Sequence, residues 1–253
     1  MKRFILLIGA IVSVMACVDV LSAQSSQEGV VNYEIKINNH RRIPKEREEM
    51  KAMIPEFRTE KYQLFFKGNE SLYKKVEEDT EEQMASTPSG GGMQMRIMTP
   101  KIEIYLDATS QMQLSQQDFM GKVYLISDTL KVAPWKFGTE TKTIAGYECK
   151  MAYYTDETRP ERKEEITAWY TDQVRPFLGP DRFLSLPGTI LALDINNGER
   201  TWVARSVELR PLKKKELNKP SEGTSVTRQQ YRAMVDEQIK KNGGNGTQFI
   251  MRN

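Results

Sequence analysis

The chain has 253 residues, 28% of them charged and 39% hydrophobic, and a formal charge of +3. Basic and acidic residues are interspersed almost throughout, which argues against the concentrated positive face of a nucleic-acid binder. One histidine and two cysteines exclude a histidine-rich zinc centre and a disulfide-stapled scaffold.

Met1-Lys2-Arg3 is followed by a largely apolar run over 4–16 and by small residues at Leu21-Ser22-Ala23. This is the pattern of a secretory signal peptide over 1–23, too short to cross a membrane stably. Cutting 23 residues from 253 leaves 230 and lowers the formal charge from +3 to +2, because Lys2, Arg3 and Asp19 go with the leader. Val14-Met15-Ala16-Cys17 offers a second reading, cleavage before a lipidated Cys17 and a membrane anchor. No later run approaches the length of a transmembrane helix. The product is expected in the periplasm, on the envelope or outside the cell, as one β-rich domain over 24–253.

Val31, Tyr33, Ile35 and Ile37 alternate with polar residues, so the first strand is half buried. Pro44 opens and Pro55 closes a charged early helix over 45–54, with Met50, Met53 and Ile54 as its apolar stripe. Strands at 60–67 and 71–77 flank a Gly68-Asn69 turn. Residues 77–96 begin acidic and run into Gly90-Gly91-Gly92, the composition of a flexible loop. Met93, Met95 and Met98 lie beside that glycine hinge. Thioethers are soft ligands suited to Cu(I), so these three are a candidate metal set, although methionine also packs as an ordinary apolar contact.

Short strands follow between 102 and 171. One carries Tyr147, Cys149, Met151 and Tyr153 on a single face, where Cys149 reads as a small buried hydrophobe. Between apolar strands ending near 171 and beginning at 189 lies a loop that breaks at Arg175-Pro176, Gly179-Pro180 and Leu186-Pro187-Gly188. It carries Phe177, Leu178, Phe183, Leu184 and Leu186, too apolar to hang in solvent. Either it plugs the open end of a sheet, or it forms a rim that grips an apolar ligand or a partner. Asp172 and Arg175 are placed to pair at its start. Pro187-Gly188 suits a type II turn with glycine at positive φ. Asn196-Asn197-Gly198 is a strong hairpin turn. A charged linker covers 211–226, and a helix over 227–241 opens with Thr227 and Gln230 at capping-box spacing.

The segment Ser185-Leu186-Pro187-Gly188-Thr189-Ile190 resembles the signature of the GLPGLI family, small secreted proteins of Bacteroidota. Serine stands for the first glycine and threonine for the second leucine. Gly179-Pro180, Trp169-Tyr170-Thr171, Leu191-Ala192-Leu193 and the upstream block at 144–152 extend the resemblance. It implies an exported β-rich protein, with Gly179, Pro180, Leu186, Pro187, Gly188 and Ile190 as a structural motif, and brings no catalytic residue.

The fold expected is mainly β: nine or so strands in a curved antiparallel meander, an open half-barrel with one early and one C-terminal helix. It is similar in outline to periplasmic lipoprotein-carrier domains. There is no glycine-rich nucleotide loop, GxSxG elbow or HExxH motif, and no cofactor is expected. Asp181 and Asp194 are the least bland carboxylates, read as turn or rim groups. The leading functional expectation is a non-enzymatic cell-envelope module that binds a protein partner or an apolar ligand. The alternatives are copper handling through 93–98 and a hydrolase using carboxylates.

Overall fold

The computed structural model describes residues 27–76, 101–158 and 163–241. The leader over 1–23, Cys17, the whole of the 77–96 loop and Met93, Met95 and Met98 lie outside the described residues. The strands are β1 (Glu28–Asn38), β2 (Phe57–Lys67), β3 (Glu70–Lys75), β4 (Ile102–Asp107), β5 (Met112–Phe119) and β6 (Lys122–Thr129). After these come β7 (Lys136–Ile144), β8 (Tyr147–Asp156), β9 (Glu164–Thr171), β10 (Thr189–Ile195), β11 (Arg200–Leu209) and β12 (Thr224–Thr227). Helix α1 spans Arg228–Lys241. The early helix is 3-10 in character over Lys45–Ala52, interrupted at Arg47 (φ −133°, ψ 34°), and buries none of its residues. Among the described residues no helix is long and apolar enough to cross a membrane.

All twelve strands join one sheet in the order β12-β6-β5-β4-β3-β2-β1-β11-β10-β9-β8-β7. Every pairing is antiparallel except β12 on β6. Two meanders, β1–β6 and β7–β11, are thus fused at the β1–β11 seam. The Asn196, Asn197 and Gly198 turn between β10 and β11 has all three residues at positive φ, as the sequence suggests.

Connectivity demands strong curvature. Flat, the sheet would hold β6 and β7 ten spacings apart, about 48 Å at ~4.8 Å each. The chain bridges them with residues 130–135 alone, which reach about 25 Å when extended. The sheet therefore curls until its edges approach, but β6 and β7 do not pair and the barrel stays open.

Sequence alternation sets the inward face. Val31 and Tyr33 of β1 sit level with Leu64 and Tyr62 of β2, and Tyr33 and Ile35 with Ala204 and Trp202 of β11. These residues belong to one buried cluster that continues through Ile166, Ala168, Leu191 and Leu193. Three strands exceed the nine expected because their patterns are weak. β5 turns Gln113, Ser115 and Gln117 inward, level with Leu106, Ile104 and Ile102. β7 is almost wholly exposed. β12 uses the last residues of the segment read as a charged linker.

Candidate functional site: the loop that fills the concave face

After Thr171 the chain leaves the sheet and crosses the hollow before re-entering at Thr189. Leu178, Phe183, Leu184 and Leu186 are all buried, as is Ile190 at the start of β10. Phe177 is 52% exposed. Of the five apolar residues named as ligand or partner candidates, four are thus spent on the protein's own core, and the outward apolar rim reduces to Phe177.

The loop is tied internally and to the sheet. The Phe177 amide donates to the Leu186 carbonyl (3.0 Å) and Ile190 to Leu178 (2.8 Å). The Thr189 hydroxyl donates to the Arg175 carbonyl (2.6 Å). A register shift in β10 after Ile190 leaves its carbonyl inward, where the Tyr33 hydroxyl donates to it. Gly179 and Gly188 are required by crowding. A Cβ would lie 2.0 Å from the Phe183 carbonyl oxygen at Gly179, and 2.1 Å from that of Thr171 at Gly188. Gly188 is not among the positive-φ glycines, which corrects the type II turn expected at Pro187-Gly188. The left-handed positions in this loop fall instead on Phe177 (φ 56°), Asp181 (φ 55°) and Ser185 (φ 74°).

Ser185 is the anchor that sequence reasoning missed. Its hydroxyl accepts from the Ala133 amide (3.2 Å) and the Trp135 indole N–H (3.2 Å), and that indole also donates to the Leu184 carbonyl (3.1 Å). The crossover 130–135 is therefore pinned onto the loop that fills the hollow.

Little space remains. Leu64, Ser71, Tyr73, Ile104 and Leu106 of the sheet meet Phe177, Gly179, Asp181 and Leu184 of the loop around a pocket of about 10 Å³. That is at the threshold for a single water. Tyr62 stacks on Tyr73 (4.9 Å between centroids), and the Trp202 indole donates to the Tyr73 hydroxyl (3.1 Å). Burial raises the pKa of all three inward phenols, Tyr33, Tyr62 and Tyr73, so they remain protonated at neutral pH. A charged rim borders the loop: Arg182 lies 3.3 Å from Glu164 and 3.9 Å from Asp156, and Arg200 lies 3.6 Å from Glu164.

The fold is similar to part of PNGF-II. Two solved structures of that protein match with TM-scores of 0.53 and 0.52 at 16% and 15% identity. Each match covers 83% of this chain but 32% or 33% of the other, so the chain spans about a third of the length of the structures it matches. At such identities the likeness is one of fold. No family model and no curated protein matches the chain.

The remaining candidates are dispersed. Cys149 is buried in the core, and burial pushes its thiol up to about 11, so it is not a thiolate at neutral pH. The His40 Nε2 sits 2.7 Å from the Ile54 carbonyl oxygen in a different part of the chain. Asp194 accepts from the Gly198 amide (2.9 Å), a turn role. Asp172 pairs with Lys150 (2.6 Å), not with Arg175 as expected, because the Arg175 side chain turns inward and donates to the Glu70 carbonyl (2.7 Å). Among the described residues no group of three or more His, Cys, Asp or Glu side chains is placed to hold a metal ion.

Proposed function

We propose that the chain is an exported envelope module of the GLPGLI type that works by docking a protein partner, without turning over a substrate. The observation that carries this reading is the filled concavity. A carrier of an acyl chain or similar ligand needs a cavity of hundreds of Å³. Here the hollow holds the protein's own Leu178, Phe183, Leu184 and Leu186, and the pocket where the loop meets β2–β4 measures about 10 Å³. What the loop offers outward is Phe177, an exposed aromatic held on a left-handed backbone. A left-handed backbone at such a residue costs local strain that the surrounding structure must sustain, and aromatic residues are enriched at protein interfaces. The likeness to about a third of a larger protein also suits a fold that serves as a module.

The test is photocross-linking in the native envelope. A photoreactive phenylalanine at position 177 is compared with one at Met120, an exposed residue in the β5–β6 turn. A discrete protein adduct from 177 and not from 120 is the expected result. Adducts with lipid alone, or none from 177, would sink the reading.

A further inference from the structure

Arg175 is only 8% exposed, and among the described residues its side chain makes one hydrogen bond, from Nη1 to the Glu70 carbonyl oxygen (2.7 Å). A guanidinium has five N–H donors in a fixed fork. The other deeply buried arginine, Arg200, has the Glu164 carboxylate at 3.6 Å. Arg175 has no carboxylate within ion-pair distance among the described residues. Loss of water on burial pulls its pKa down to about 10. Burying a cation without a counter-charge is costly, and the cost falls when an anion arrives in the fork.

Its position also matters. Arg175 reaches Glu70, and Phe177 lines the pocket together with Ser71 and Leu106. Glu70 pairs with Asp107, and Ser71 with Leu106, on adjacent rungs of the β3–β4 ladder. The uncompensated cation and the exposed aromatic thus lie over the same end of one strand pair, about one residue step apart.

We propose that Arg175 receives a carboxylate of the docked protein, an Asp or Glu side chain, while Phe177 takes the apolar residue beside it. This rests on the docking reading above and specifies the chemistry of the partner: an acidic side chain flanked by large apolar ones. A purely structural Arg175, stapling the loop to Glu70, would show no preference between a carboxylate and its amide.

The probes are two capped hexapeptides, one with a glutamate between leucines and the other with glutamine in its place, titrated into isotope-labelled full-length mature protein. The glutamate peptide should shift the Arg175 Nε–H resonance and the Glu70 and Ser71 amides, and bind about tenfold more tightly than its twin. Arg175→Gln keeps an N–H for the Glu70 carbonyl and should bind both peptides alike. Equal affinities in the wild type, or shifts confined to other surfaces, would overturn the site without recourse to the variant. A protein cross-linked at position 177 equally well in wild type and Arg175→Gln would overturn the carboxylate site and leave docking standing. A peptide preference that persists with no cross-linked protein would support the site and count against docking.

Discussion

Ser185 shows how one residue in the loop balances strain against tethering. In the family motif it resembles, this position is glycine, which adopts positive φ freely. Serine held at φ 74° costs about 1–2 kcal/mol of local strain, and its two accepted hydrogen bonds offset this at about 1 kcal/mol each. Ser185→Ala should therefore lose about 2 kcal/mol, keeping the strain without the bonds. Ser185→Gly should lose about half as much, because relief of strain offsets part of the loss. Urea unfolding of the two variants checks the order; an alanine variant as stable as the glycine one would contradict it. Gly188 was legible as structural from its place in the motif, but not for the right reason. Sequence suggests a turn glycine, whereas the structure needs a missing Cβ against Thr171, a long-range contact that local chemistry cannot announce.

Cys149 was readable as core filler from its alternating aromatic and apolar neighbours, and its thiol behaves accordingly. The folded pKa of about 11 lies above the ordinary value of 9. The folded state holds the proton longer, so the stability tied to this thiol is fully present below pH 9 and declines as pH rises through about 11. Cys149→Ala should show a smaller alkaline loss than wild type in the same window. Thiol reagents at pH 8 should label the native protein slowly and the denatured protein at once. Fast native labelling would contradict the burial.

At the scale of elements, strands with clean alternation were legible and those with polar inward faces were not. β1 and the β10–β11 hairpin follow their patterns. β5 hides behind Gln113, Ser115 and Gln117, which face inward because α1 brings a polar partner over them. Arg228 donates to Ser115 (3.2 Å) and pairs with Asp128 (3.3 Å). The capping box at the start of α1 forms as its spacing suggests: the Gln230 amide donates to the Thr227 hydroxyl (3.2 Å), and the Thr227 amide to the Gln230 side chain (2.8 Å). Tyr231 then packs edge-on against Phe119 (5.9 Å) and Tyr124 (5.7 Å). β12 is only four residues long, and this aromatic cluster ties the C-terminal element to β5 and β6. Tyr231→Ala should release β12 and α1, speeding hydrogen exchange over 224–241 by about tenfold or more while the β1–β11 seam keeps its protection. Uniform deprotection of the whole sheet would show that the helix is integral to the core instead.

On the scale of the whole molecule, the half-barrel was legible as successive hairpins, but the sheet order was not. The fusion of two meanders at β1 and β11 pairs residues more than 160 positions apart, and no local pattern specifies that partner. The fill of the hollow follows from this closure. Because residues 130–135 must bridge the two edges, the sheet curls, and the apolar loop 172–188 occupies what would otherwise be a ligand cavity. Legibility of the candidate site was correspondingly divided. Its apolar residues were visible in sequence, but which of them face out is decided by β2–β4, distant in the chain. The central claim is that this hollow is occupied by the protein itself. The most direct test is mass spectrometry of the protein released gently from its native envelope, compared with the same sample after denaturation. The two masses should be equal, with no small molecule lost on unfolding. A lipid or other apolar ligand present at near-stoichiometric amount in the gentle sample and absent from the denatured one would contradict the account.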